Sequence, residues 1–221
     1  MITITRLPEP SKLTEKKDKW LAAYLKKKGE VPKHRPPSGQ YAHKEIRDIL
    51  ERMSNNKCFY CECKLGEDSE MKSEVDHYIE VAEQPKLAFD WNNLYLSCYD
   101  CNRKKLSNAT MPVSNCLNPC DTAENPADHL TFKHEYIRPR ANSSKGCKTI
   151  KKYKLDRSEL NYSRLKWVQR FEHFLRKLRE RQLDNEGRKL TLREREAVNS
   201  FKEPHHAFSL MFRVYLTCKL F

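Results

Sequence analysis

Glycine is scarce in this chain, with five residues in 221. That excludes collagen-like and glycine-rich low-complexity classes. No apolar run approaches the ~18–20 residues needed to span a bilayer. Met1–Lys12 lacks the apolar stretch of a signal peptide. The chain therefore reads as a soluble, cytoplasmic protein. It also lacks the pattern G-x-x-x-x-G-K-[ST], so no ATP site of that kind is predicted. Acidic side chains are in deficit, with 30 Asp and Glu against 43 Lys and Arg, a formal net charge of +13. An excess of that size points to a polyanionic partner, nucleic acid before an anionic membrane. Apolar residues make up 38%, enough for a modest core and too many for a wholly disordered chain.

The charge is uneven. Residues 1–57 carry net +7, residues 58–108 net −4, residues 109–130 net −3 and residues 131–221 net +13. Two basic arms thus flank an acidic middle that holds seven of the nine cysteines. Cytosolic disulfides are rare and an odd number cannot pair fully within one chain, so metal binding or free thiols are the default readings.

The arms read as helical. Trp20, Leu21, Tyr24 and Leu25 form a stripe within Thr14–Lys28, and a proline-rich breaker follows at Val31–Gly39. A second helix is predicted from about Tyr41 to Met53, ended by Ser54-Asn55-Asn56. The C-terminal region predicts a helix near Thr149–Tyr153. A long one from Ser158 to about Leu183 is expected to be capped by Asp156 and to bury Leu160, Leu165, Val168, Phe171, Phe174, Leu175 and Leu178. Shorter helices follow at Leu192–Phe201 and Phe208–Leu220. Residues 109–147 read as an irregular connection, and short strands are expected at Val75–Ile79 and Leu94–Ser97. The organisation expected is an N-terminal helical arm 1–57, a core 58–108, the connection 109–147, and a helical region 148–221 serving partner docking or nucleic-acid binding.

Cys58-Phe59-Tyr60-Cys61 and Cys98-Tyr99-Asp100-Cys101 are two C-x2-C knuckles with 36 residues between them. Two intervening residues let both sulfurs reach one tetrahedral ion at ~2.3 Å, and two such pairs complete a structural zinc site. The alternatives are unrelated free thiols or a redox pair; two matched pairs without a thioredoxin-like βαβ context argue against redox. Cys63 is a competing ligand of lower rank than Cys61. Cys116 and Cys120 could be imagined with His129 and His134 as a second zinc site, but the loose, proline-rich spacing favours free thiols. Cys147 and Cys218 read as isolated buried thiols.

Between and just beyond the knuckles lie Glu74-Val75-Asp76-His77-Tyr78-Ile79, Trp91-Asn92-Asn93-Leu94 and Cys101-Asn102-Arg103-Lys104-Lys105. Asp-His ending an apolar strand, Asn-Leu before the second knuckle and Asn after its last cysteine, nested in a four-cysteine frame, closely resemble an HNH nuclease. The resemblance covers about 50 residues, Cys58 to Asn108. It implies an α+β, mainly α protein in which a small zinc-knuckle ββα-metal core is flanked by helices. It implies that His77 is the general base, suited because a neutral imidazole accepts a proton near neutral pH. Asp76 and Asn102 would offer oxygen ligands to one Mg²⁺ or Mn²⁺ ion that stabilises the phosphate and the leaving oxygen. Asn102 stands where many members have a histidine, which favours hard Mg²⁺. Asn93 would brace the loop and orient His77, and Arg103 and Lys105 would contact phosphates.

The flanks Ile4–Pro10, His43–Ile46, Thr149–Ile150 and Leu155–Asn161 resemble one HNH branch, that of Septu antiphage systems and of retron-associated nucleases. This implies a nuclease that rides on an ABC/SMC-like ATPase of the PtuA kind. The resemblance implies hydrolysis leaving 5′-phosphate and 3′-hydroxyl ends, and it favours DNA over RNA, with tRNA as the alternative substrate. A zinc-stabilised nucleic-acid-binding module, or an assembly subunit, would explain the charge and the cysteines but not Asp76, His77 and Asn102 together.

Overall fold

A computed structural model of the protein describes residues 1–66, 71–185 and 187–218. Most of this is helix, with two small antiparallel sheets. Among the described residues no helix is long and apolar enough to cross a membrane. Helix α1 (Ser11–Glu30) puts Leu13 and Tyr24 into the core and leaves most of its lysines outside. The helix expected over Tyr41–Met53 is two: α2 (Ser38–Tyr41) and α3 (Lys44–Ser54). The break falls at His43, whose backbone is extended and whose Nδ1 accepts the Glu45 N–H, so a capping side chain interrupts the stripe. Asn55 closes α3 in the left-handed region, with φ 54°.

The middle of the chain forms the ββα unit. Strand β1 (Ser73–His77) pairs with β2 (Leu94–Cys98), Val75 opposite Leu96 and His77 opposite Leu94. Helix α4 (Tyr99–Lys104) follows β2 without a loop, and Cys98 Sγ accepts the Cys101 N–H at its start. The first knuckle docks through the Phe59 N–H on the Leu96 carbonyl, 2.9 Å. The N-terminal segment straps the link between the strands. Arg6 donates to the carbonyls of Trp91, Asn92 and Leu94, and the Trp91 indole donates to the Leu7 carbonyl.

Residues 109–147 hold more regular structure than expected. Helix α5 (Pro126–His129) leads into a hairpin of β3 (Leu130–Lys133) and β4 (Tyr136–Pro139), turned at His134 with φ 55°. The strands are four residues each, have no Asn-Gly or Asp-Gly turn signal, and the second ends in proline, so alternation is too short to read. Helix α6 (Ser144–Tyr153) starts five residues before the expected Thr149, capped by Ser143 on the Gly146 N–H. Gly146 is obligatory there: a Cβ would meet the His129 carbonyl oxygen at 2.2 Å.

Helix α7 (Ser158–Asp184) buries Leu160, Val168, Phe171, Leu175 and Leu178, while Leu165 and Phe174 are half-buried. Asp156 does not cap it. The N-cap is Arg157, and Asp156 offers its carbonyl to the Asn161 amide instead. Arg164 is unexpectedly buried, at 1% exposure. It donates to the Leu155 carbonyl and Asn161 Oδ1 and lies over the Phe132 and Phe208 rings, while burial holds its pKa down to about 10. Helix α8 (Leu192–Ser200) opens with a Thr191–Glu194 capping box. Helix α9 (Ser209–Cys218) turns inward: Phe208, Leu210, Met211 and Phe212 are buried, and the Phe212 and Tyr215 rings meet Phe171 on α7. The apolar C-terminal stretch thus packs on the chain's own long helix; Leu220 and Phe221 fall outside the described residues.

One core cluster joins both arms to the middle. Its polar seam is Glu62, which accepts from the Met1 ammonium (2.6 Å), Ser209 Oγ (2.7 Å) and Lys57 Nζ (3.4 Å). Burial alone would raise the Glu62 pKa, yet the Met1 ammonium and Lys57 hold it down to about 2.

Candidate active site and zinc centre

The two knuckles bring Cys58, Cys61, Cys98 and Cys101 together: all four sulfurs are buried and lie within 4.8 Å of one another. Burial opposes ionisation, but hydrogen bonds from Cys101, Cys63 and Cys98 outweigh it and hold Cys58 down to about 5. Arg157 donates towards Cys101 Sγ (3.5 Å) and Cys98 Sγ (3.8 Å), so a cation already faces the sulfurs. Four soft donors around one centre fit structural zinc. Cys63 Sγ sits 3.3 Å from Cys61 Sγ at the edge of the group.

His77 ends β1 on the opposite face of the strand from Asp76. Its Nε2 is 2.9 Å from the Ala88 carbonyl oxygen, and its ring packs on Tyr41 with centroids 4.6 Å apart. A carbonyl can only accept, so Nε2 carries the proton and Nδ1 keeps a lone pair. Burial pushes the imidazole below its ordinary pKa, which keeps it neutral at pH 7. Asn93 ties this arrangement together. Its Oδ1 accepts the Ile79 N–H (2.6 Å), and its Nδ2 donates to the carbonyls of Ile79 (2.9 Å) and Leu87 (3.1 Å). It therefore clamps the exit of β1 to the segment that delivers Ala88.

The other face of β1 meets α4. Asp76, 4% exposed, accepts from Tyr60 Oη (2.9 Å) and from Lys105 Nζ (2.6 Å). Two residues earlier on the same face, Glu74 accepts from Asn102 Nδ2 (2.6 Å) and lies 3.5 Å from the Arg103 guanidinium. Hence Asn102 and Asp76 share a strand–helix face but are not hydrogen-bonded to each other. With Nδ2 committed to Glu74, Asn102 Oδ1 has no hydrogen-bond partner among the described residues.

A fold of this order, carrying Asp-His on one strand, is matched by a family model. Residues 58–107 match the model described as HNH endonuclease. This segment is an HNH endonuclease domain.

The chain is also similar to Septu protein PtuB of Bacillus mycoides (strain KBAB4), 32% identical over 161 residues, which cover 59% of this chain and 53% of that protein. PtuB of Bacillus thuringiensis is 34% identical over 132 residues, 59% of this chain and 46% of that protein. A retron Vc95 putative HNH endonuclease of Vibrio cholerae serotype O1 biovar El Tor is 26% identical over 165 residues, 71% of this chain and 80% of that protein. The chain spans about half the length of the two PtuB proteins.

Several contacts of the HNH domain depart from the sequence reading. Lys105, expected at a phosphate, is 10% exposed in its side chain and sits on Asp76 and the His77 carbonyl. The reason is electrostatic, because a carboxylate buried this deeply draws the nearest cation. Arg103 is 59% exposed and stacks on Tyr99. Among the described residues Cys116, Cys120, His129 and His134 form no second metal-ligand group; His129 Nδ1 pairs with Ser143 Oγ. Cys147 is exposed, not buried, because it lies on the outer face of α6. The Cys218 side chain lies outside those described. Tyr41, Tyr60 and Glu74 were not singled out from sequence. The i, i+2 spacing of Glu74 and Asp76 on a strand was the signal that could have found Glu74.

Proposed function

We propose that the chain is a divalent-cation-dependent endonuclease that hydrolyses phosphodiester bonds of DNA in the cytoplasm. In the same reading it is the nuclease subunit of an antiphage system and works with an ABC/SMC-like ATPase. The observation that carries the catalytic part is the His77 imidazole, neutral, fixed by the Ala88 carbonyl and placed on the HNH frame beside Asp76. His77 Nδ1 takes the proton of the attacking water, and the Ala88 carbonyl steadies the imidazolium that results. Asn93 holds the loop so that this bond does not drift. Asp76, Glu74 and Asn102 Oδ1 are hard oxygen donors on one face, a set that suits Mg²⁺ or Mn²⁺ and not a thiolate-seeking ion. Asp76 and Asn102 would hold such a cation, which would supply charge stabilisation to the scissile phosphate and the leaving 3′-oxygen. Arg103, exposed beside Glu74, supplies a backbone phosphate contact. The similarity to two Septu PtuB proteins supports the antiphage role, and the ATPase partner is what the resemblance to that branch implies.

The test is to incubate the purified protein, alone and with its neighbour-encoded ATPase, with plasmid DNA and total tRNA in Mg²⁺. DNA cutting is expected, and His77→Ala should abolish it while zinc content and DNA binding persist. Cutting of tRNA alone would replace DNA as the substrate. Undiminished cutting by His77→Ala would remove His77 as the base.

A further inference from the structure

Asp76 is the carboxylate that, with Asn102, holds the divalent cation in the proposed function, and in this structure each of its oxygens already accepts a hydrogen bond. Tyr60 Oη donates to Oδ2 at 2.9 Å and Lys105 Nζ to Oδ1 at 2.6 Å. The lysine is no loose surface partner. Its side chain is 10% exposed, and its ammonium also donates to the His77 carbonyl at 3.1 Å. It stands at the C-cap of α4, three residues past Asn102. A divalent cation binding the oxygen that already accepts from this ammonium would be strongly opposed, because at such separations in a poorly solvated place like charges repel.

We infer that Lys105 and the divalent cation are alternative occupants of Asp76. The ammonium neutralises the carboxylate while the site is metal-free, and a metal entering the site displaces it. Lys105 therefore sets how much divalent cation the site needs. The freed ammonium, still tethered beside Asn102, is then available to a phosphate oxygen. This also explains how the Asp76 carboxylate is accommodated in a buried place before metal binds. The inference rests on Asp76 being the metal-holding carboxylate.

The experiment uses the full-length, zinc-loaded protein and Mn²⁺, with free Mn²⁺ read by electron paramagnetic resonance at pH 8. Lys105→Gln is expected to bind Mn²⁺ at least about tenfold more tightly than wild type, because its amide leaves no competing charge. Lys105→Arg should stay within about threefold of wild type, since the cation remains. Lys104→Gln removes the same unit of charge from a more exposed position on the same helix, paired with Asp100 and Glu159, and should change affinity by less than about threefold. Equal tightening by Lys104→Gln, or none by Lys105→Gln, overturns the inference. A measurement on wild type alone guards against a misfolded variant: pulsed amine acetylation followed by peptide mass spectrometry. Lys105 should label slowly without Mn²⁺ and several-fold faster with it, and labelling that stays flat or slows overturns displacement. Asp76→Asn isolates the underlying reading. It should abolish Mn²⁺ binding in wild-type and Lys105→Gln backgrounds alike. Retained binding would show that Asp76 is not the ligand, whereas lost binding with an inert Lys105→Gln would sink the competition and leave the ligand assignment standing.

Discussion

Stripping the zinc that the four-cysteine centre is proposed to hold should unfold the chain cooperatively. The sulfurs of Cys58, Cys61, Cys98 and Cys101 all lie within 4.8 Å of one another. Two thiolates at that separation repel by roughly 3 kcal/mol at an effective dielectric of about 20. Four ionised sulfurs make six such pairs, so together they repel by roughly 20 kcal/mol. A domain's whole stability is only about 5–15 kcal/mol. Arg157, facing Cys101 and Cys98, offsets part of this. Without metal the centre must take up protons or open. Opening exposes Phe59 and Tyr60, which are 1% and 0% exposed, at about 1.5–3 kcal/mol each. It also frees the Phe59 N–H from the Leu96 carbonyl and so loosens β2. Structural zinc contributes about 10–16 kcal/mol of apparent binding free energy in small folds. The assay is elemental analysis followed by thermal melts with and without a strong zinc chelator under reducing conditions. About one zinc per chain is expected. The melting midpoint should fall by more than about 15 °C or the transition should be lost. Metal-free protein melting within a few degrees of the zinc-loaded form would refute the reasoning.

Glu62 and His77 each give outcomes that can be measured directly. Glu62→Gln leaves the Met1 ammonium and Lys57 without their anion and should cost about 3–5 kcal/mol in urea unfolding at pH 7. Because the folded pKa of Glu62 is held down to about 2 against an ordinary 4.5, its contribution is complete above 4.5 and is lost as pH falls from there towards 2; the gap between wild type and variant should narrow over that range. The rate of single-turnover cutting should hold down to below the ordinary imidazole value of 6.5, because burial keeps His77 neutral there. Tyr41→Ala, which lets water reach the ring, should move that acid limb upward; an unmoved limb would separate the limb from His77.

The parts of this protein that were legible in its sequence are those set by short-range spacing. A C-x2-C turn fixes where two sulfurs can go whatever surrounds it, and the convergence of the four was readable once two turns were seen. The ββα unit was implied by the likeness of the Asp-His and Asn-Leu motifs to HNH nucleases, and β1 runs over Ser73–His77, two residues before the expected Val75–Ile79. The stripe of α7 was carried by periodicity. The hairpin of Leu130–Pro139 was not, since four-residue strands leave too little alternation to count and its buried residues are chosen by α6 and α9 lying over it. Nothing in the sequence singles out Arg164 as a core residue, because the Leu155 carbonyl and Asn161 Oδ1 are offered to it only once α7 and the turn before it are formed.

Residue chemistry by itself determined which metal each group of donors suits and that an imidazole stands beside a carboxylate on one strand. Only the tertiary structure decided who touches whom: Lys105 holds Asp76, Glu74 holds Asn102, and Ala88 holds His77. The first two partnerships cross nearly thirty residues between β1 and α4, the third a folded loop. Each partner is selected by the angle at which that helix or loop packs against the strand and by the need of a buried charge for its counter-charge, and neither quantity is local to the sequence.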